Sequence, residues 1–437
     1  MIAKSRFDID VRLVVICIFS LMMGACQLIK PNLSYDECLA GKASCPEICN
    51  GQDDDDDGAV DEKLNDACII FTTLNLERGN VETGFGRAIV TVPDVNEDGF
   101  DELLVSSSRA LSEIDSTEPQ EGEVSLIDGA SLQITWTVKY GGDFGQALAV
   151  GRFDGEQNLW CSGAPTKEGN DGVLGRVLCL NFEGELVDAL SAESEYGLGQ
   201  WLSVRSTVDQ DQLLISEPMW HQQASENGEE SLNAGRVLIT SLVGGEFNSV
   251  QTIVGGEANQ KIGERVISIN DSNEDGINDL LLTGYSSDNS DQRQVWLVSG
   301  AESDKLSRIK RFSAPEYTAG VFGNALAMGR YDHTLNQDIL AFGAPIVEVD
   351  RDDKVERLSR VYFTTGAGDP LGTNSARVFE GETQGIGSSM TTINVGEYDF
   401  LVTAGPGLLR IIKLNDSRAE VVKEFELPRG AIPVLAA

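Results

Sequence analysis

The sequence predicts an all-β protein, a β-propeller of six blades with four antiparallel strands each, standing behind a short disulfide-containing stalk. Three observations predict it. A phrase of Gly, an apolar residue and Gly, in full or in part, recurs six times, followed each time by an alternating strand-like run. Four such runs fit within each repeat, with turn residues between them. No long segment of helical period interrupts the series. The phrase centres on Phe85, Phe144, Leu198, Ile262, Phe322 and Ile386, at intervals of 54 to 64 residues. One four-stranded sheet cannot bury both faces alone, so radial packing explains why the unit repeats.

Composition narrows the function. The 437 residues carry 70 Asp plus Glu against 33 Lys plus Arg, a formal net charge of -37. Such a polyanion does not bind nucleic acid by neutralising phosphates, and an anionic membrane surface repels it. The apolar fraction of 41% is ample for a core. Only His221 and His333 are histidines. That scarcity argues against imidazole-based catalysis and multi-His metal sites.

Taken in chain order, residues 1–25 read as an export signal. Lys4, Arg6 and Arg12 precede an apolar run from Leu13 to Met23, and small residues Gly24 and Ala25 follow. The run is too short for a bilayer core needing about 20 residues. Met23-Gly24-Ala25-Cys26 resembles the lipobox of bacterial lipoproteins, which implies acylation of Cys26. Gln27 resembles the residue that directs such proteins to the Gram-negative outer membrane. The expected location is therefore outside the cytoplasm, on a lipid anchor, which is the membrane contact expected.

Residues 26–67 form the stalk. Export implies an oxidising compartment, and Cys38, Cys45, Cys49 and Cys68 surround a segment with little core of its own. Two disulfides would replace the missing burial, with three pairings open. Within the stalk Asp53, Asp55, Asp57, Gly58 and Asp61 fit an alternating aspartate ladder able to turn hard oxygens toward calcium. The other reading is a solvated acidic linker. The segment also resembles a Cys-Asn-Gly, Asp-rich metal-binding motif of exported Gram-negative proteins.

The body spans 68–437. Its third strands are expected at 123–128, 176–181, 236–241, 294–299, 360–365 and 409–414, and the clearest fourth strands at 134–140 and 419–425. Cys161 and Cys179 lie in two strand-like runs flanking a turn. They suit either a cross-strand bridge or two free buried thiols. The recurrent phrase resembles the FG-GAP repeat of integrin α-subunits and their bacterial relatives. Integrin propellers have seven blades; six copies are visible here, and seven is left open. The run 68–76 is expected to complete the last blade.

Two repeats carry a ladder after the first strand. Asp94, Asn96, Asp98 and Glu102 fit D-x-N-x-D-G-x-x-(E/D), as do Asp271, Asn273, Asp275 and Asp279. By resemblance to FG-GAP calcium loops these side chains bind calcium, helped by the carbonyls of Phe100 and Ile277. Calcium's six to eight flexible oxygen ligands suit such loops better than magnesium's strict octahedron. A plain Asx/Gly-rich turn is the alternative.

Strand alternation places those loops on one face of the disc. The connections after the second strands, at 106–121, 219–234, 285–293 and 346–358, are expected as long loops on the other. Trp220 and His221 are the ligand candidates there, although a Trp folded back on its own blade is the alternative. The expected function is a calcium-stiffened surface module binding an unidentified protein, glycan or matrix partner. A glycan-cleaving enzyme with paired carboxylates and a purely architectural envelope component are the alternatives. No G-x-S-x-G, H-E-x-x-H or phosphate loop favours an enzyme.

Overall fold

The computed structural model describes residues 85–426, apart from 108–120, 167–174, 193–196, 222–231, 287–288, 302–307, 315–320, 333–337, 352–353, 366–377, 382–384, 396–397, 406–407 and 416–417. Every regular element among the described residues is a strand. Blade 1 holds β1 (Phe85–Val92), β2 (Glu102–Ser107), β3 (Glu121–Ile127) and β4 (Ile134–Gly141). Blade 2 holds β5 (Leu148–Gly151), β6 (Leu159–Ala164), β7 (Arg176–Leu180) and β8 (Leu186–Ser191). Blade 3 holds β9 (Leu202–Ser206), β10 (Asp211–Glu217), β11 (Arg236–Val243) and β12 (Glu246–Val254). Blade 4 holds β13 (Val266–Ser268), β14 (Leu280–Ser286), β15 (Asn289–Val298) and β16 (Arg308–Ser313). Blade 5 holds β17 (Leu326–Gly329), β18 (Ile339–Arg351), β19 (Lys354–Thr365) and β20 (Val378–Gly381). Blade 6 holds β21 (Ser389–Val395), β22 (Tyr398–Gly405), β23 (Leu408–Asn415) and β24 (Arg418–Glu426).

Each sheet is an antiparallel meander of four consecutive strands. The first strands line up side by side, β1 against β5, β5 against β9, β9 against β13 and β17 against β21. That is a six-bladed β-propeller with the first strands innermost. The last sheet holds four strands from Ser389–Glu426; the run 68–76 lies outside the described residues. So do Cys26, Cys38, Cys45, Cys49, Cys68, Asp53, Asp55, Asp57 and Asp61.

The recurrent Gly-x-Gly phrase has a steric cause. Gly86, Gly145, Gly199, Gly263, Gly323 and Gly387 all sit at positive φ, between 69° and 93°. Only glycine adopts that region freely, and it turns the chain from one blade into the next. At the blade 2–3 boundary a Cβ on Gly163 would lie 1.9 Å from the Gly199 carbonyl oxygen. The middle residue of the phrase goes inward instead: Phe144, Leu198, Ile262, Phe322 and Ile386 are all buried between neighbouring blades.

Two of the four connections expected as long loops are hairpins. β14 and β15 run on until only 287–288 separates them, and β18 and β19 pair out to Arg351 opposite Lys354. The alternation Val347, Val349 opposite Leu358, Glu356 carries the second hairpin, past a register shift between Ala344 and Val347. Charge in the stretch masks the period in the sequence. A bulge lets the strands twist out of the disc there without ending the ladder.

The six blades form two sets of three. FGQALAVGRFD (144–154) in blade 2 returns as FGNALAMGRYD (322–332) in blade 5, and VNEDGFDELL (95–104) in blade 1 as SNEDGINDLL (272–281) in blade 4. The contacts repeat with the letters. Leu242 N–H donates to the Phe153 carbonyl and Leu414 N–H to that of Tyr331, both at 2.8 Å. The Arg152 and Arg330 N–H groups donate to Asp211 and Asp399 of the next blade, at 2.8 and 2.7 Å. Gly163 abuts Gly199 as Gly343 abuts Gly387. Aromatic clusters fill the 1–2 boundary (Trp136, Tyr140, Phe144, Trp160) and the 4–5 boundary (Phe312, Phe322, Phe342, Tyr362).

A second recurrence was not legible beforehand. Four second strands are preceded or opened by an Asx residue that reaches back to the preceding blade. Asp211 accepts from Arg152 and Asp399 from Arg330; Asp338 accepts from Asn270 Nδ2 at 2.6 Å, and Asn278 Nδ2 donates to the Ser206 carbonyl at 3.4 Å. These ties all lie on the face that carries the metal-type loops.

Candidate metal centre

The two ladder loops fold alike. In the first, Asp98 N–H donates to Asp94 Oδ1 at 3.1 Å and to Asn96 Oδ1 at 2.9 Å, Gly99 N–H to Asp94 Oδ2 at 2.8 Å, and Phe100 N–H to Asp98 Oδ1 at 2.9 Å. In the second, Asp275 N–H reaches Asp271 at 3.1 Å and Asn273 at 3.0 Å, Gly276 N–H reaches Asp271 at 2.6 Å, and Ile277 N–H reaches Asp275 at 3.0 Å. Glu97 and Glu274 share a left-handed φ of 62° and 63°, and Gly99 and Gly276 follow at 94° and 89°. Alternate side chains therefore turn inward because their oxygens cap the loop's own N–H groups, as in Asx turns.

The loops differ at their ninth position. In the first, one carboxylate oxygen each from Asp94, Asp98 and Glu102 lies within 4.8 Å of the others, the one such group among the described residues. Glu102 is 1% exposed. Its Oε2 accepts the Val95 N–H at 3.0 Å, while Oε1 has no hydrogen-bond partner. Burial pushes its carboxyl above the usual range, and the charges of Asp94 and Asp98 add to that, against the Val95 hydrogen bond. A buried anion with an idle oxygen, facing two more anions, is costly by itself. A hard cation would satisfy all three, so the donor set fits calcium.

In the second loop Asp279 is fully engaged by the protein. Its Oδ2 accepts from the Ser272 N–H at 2.9 Å and the Ser272 hydroxyl, and its Oδ1 from the Gly300 N–H at 3.1 Å. The substitution of Ser272 for Val95, and of Asp279 for the longer Glu102, accounts for the difference. The structure thus brings Asp271, Asn273, Asp275 and Asp279 into one turn without gathering three carboxylates as closely as in the first loop.

One residue was missed in the sequence. Asp128, in the turn after β3, accepts from Asn96 Nδ2 at 2.7 Å. Hydrogen bonds from Ser131, hydroxyl first and then N–H, hold its carboxyl below the usual range. It adds a fourth acid beside the first loop. The position is filled by Ser299 in blade 4, whose hydroxyl donates to Asp275 at 2.9 Å. Only the fold joins a third-strand turn to a first-strand loop.

On the opposite face Trp220 lies beneath Arg236, whose guanidinium sits 5.0 Å above the ring and pairs with the buried Glu217. Its packing is the folded-back alternative. His221 Nε2 meets Asn233 Oδ1 at 3.2 Å. Near the inner strands there, Arg265 stacks on Trp201 at 4.5 Å, and burial, with Arg293 nearby, pushes its pKa down to about 10. Cys161 and Cys179 face each other across β6 and β7 and form a disulfide, with Cα atoms 4.0 Å apart.

No protein-family model matches this chain, and no curated protein sequence matches it. Among solved structures, a structure of the Dos1 propeller is similar to it, at 10% identity and a TM-score of 0.45, over 80% of this chain and 74% of that one. So distant a likeness carries no function across.

Proposed function

We propose that the protein is a calcium-binding propeller of FG-GAP type, anchored outside the cytoplasm by a lipid on Cys26, and that it serves as a ligand-binding module in surface adhesion. It works by holding a surface rigid and not by catalysis. The observation that supports the calcium part is Glu102 Oε1, buried and idle beside Asp94 and Asp98. Calcium there would be held by Asp94, Asn96, Asp98 and Glu102, pinning the β1–β2 hairpin to the turn that bears Asp128. Asp271, Asn273 and Asp275 supply a second site, weaker because Asp279 is already satisfied.

Extracellular calcium modules bind with Kd on the order of 10⁻⁴ to 10⁻³ M. At about 10 mM calcium such a site stabilises by roughly 1.4–2.7 kcal/mol, through RT ln(1 + [L]/Kd). Calorimetric titration and thermal melting of the full chain, with calcium or with EDTA, check this. Glu102→Ala should abolish most of the calcium-dependent rise in Tm, and Asp275→Ala a smaller part. An unchanged Tm in EDTA, with no heat of calcium binding, would sink the calcium reading.

A further inference from the structure

We propose that the cleft between blades 1 and 2, on the face of the metal loops, binds a neutral saccharide. The proposal deepens the reading of the molecule as a ligand-binding module and does not depend on the cation.

Four blade boundaries are tied by the Asx residue at the start of the second strand. At the 1–2 boundary that residue is Asn158, and it makes no such bond. Its side chain instead lines a cleft of about 470 Å³. Trp136 and Phe182 supply apolar surface to the same cleft, and Gln157 and Thr135 supply polar groups. Trp136 is half-buried, and its ring stacks on the buried Trp160 at 5.7 Å with an interplanar angle of 27°. Trp160 is itself fixed by donating from Nε1 to the Asn181 carbonyl at 2.8 Å. The aromatic platform is therefore held in place before any ligand arrives, which lowers the ordering cost of binding.

The chemistry of the lining selects the ligand class. A pyranose has one face of C–H groups, which lies against an aromatic ring, and a rim of hydroxyls that both donate and accept. Amides likewise both donate and accept, and a hydroxyl can too. The exposed carboxylate of Glu183 in the wall repels phosphate, sulfate and uronate. A purely apolar ligand would strand the amides. A cation would use acceptors and leave the donors of Gln157 and Asn158 idle.

The second set of blades shows that folding does not require this lining. At the 4–5 boundary Lys310 stands opposite Leu297 as Trp136 stands opposite Leu126. There Asp338, in the place of Asn158, is bonded to Asn270. The same position makes the tie at one boundary and lines the cleft at the equivalent one.

The test is a titration of the full chain, read by tryptophan fluorescence and calorimetry, with glucose, galactose, mannose, N-acetylglucosamine and their linear hexamers. Lysine and a basic hexapeptide serve as competitors, each in calcium and in EDTA. At least one sugar should saturate with Kd on the order of 1 mM, the range that ligand efficiency allows a single hexose. Trp136→Ala and Asn158→Ala should each weaken it about tenfold or more, while Lys310→Ala leaves it unchanged. Melting curves report whether each variant is folded. Should Trp136→Ala not fold, Trp136→Leu and Asn158→Ala carry the same test. Absence of saturable sugar binding, binding untouched by the cleft variants, or capture of the basic peptide in place of sugar would each overturn the proposal. Sugar binding that persists in EDTA without any calcium heat would leave the cleft standing and remove the cation. A calcium-dependent Tm with no sugar binding would do the reverse.

Discussion

Replacing Trp160 by alanine is expected to lower the stability of the propeller by about 3–5 kcal/mol, the range for truncating a fully buried large aromatic. Trp160 has no exposed surface. It packs between blades 1 and 2 with Phe144, its centroid 6.1 Å away, and under Trp136. Truncation removes this contact area, opens a void at a blade boundary and leaves the Asn181 carbonyl without its indole donor. Leu340, which takes the equivalent place in blade 5, indicates that a smaller apolar residue can occupy the position when its neighbours are large. Trp160→Leu should therefore lose roughly half as much as Trp160→Ala. Guanidinium unfolding of both variants checks this, with the midpoint shift read as stability only if the slope stays constant. A loss below about 1 kcal/mol for Trp160→Ala would mean that the boundary collapses freely and is not close-packed around this ring.

Loss of the Cys161–Cys179 bridge should cost about 3 kcal/mol, the loop-closure value for a link over its sequence separation of 18 residues. Both sulfurs are buried between blades 2 and 3, in the cluster that holds Phe153, Leu198 and Ile215. The pair is directly opposed in the β6–β7 ladder, which brings the two side chains together across it. Ala substitution at both positions tests it, since single replacement leaves a stray thiol. Thiol alkylation followed by mass measurement supplies an independent readout: the native oxidised chain should leave both cysteines unlabelled until it is denatured and reduced. Labelling of either one under denaturing conditions without reductant would refute the bridge.

Much of this architecture was legible because its causes are local. A positive φ at each blade junction demands glycine, so the junctions print themselves into the sequence at near-even spacing. The ladder loops are equally local, since nine adjacent residues make their own hydrogen bonds. What was hidden depends on residues far apart in the chain. Asp128 reaches Asn96 across 32 positions. The ties of Asp211, Asp338 and Asp399 to the preceding blade span 59 to 69. Whether Asp279 is satisfied depends on Gly300, 21 positions on, just past the end of β15. The 346–358 stretch hides its strands for a different reason: Pro345, a bulge and eight charged residues dilute the two-residue period below notice.

The pairing of blades 1 to 3 with blades 4 to 6 gives the chain its own natural comparison set. Features found in both copies, such as the Gly-Arg-aromatic-Asp turn and the glycine abutments, are the ones this architecture keeps asking for. Features held by one copy alone, namely Glu102 with its idle oxygen, Asp128, Trp136 and Asn158, are optional to the scaffold, because the sister blades stand without them. They gather at a single boundary, on a single face. Divergence within one polypeptide thus marks the spot where the molecule has been free to specialise, without reference to any other sequence.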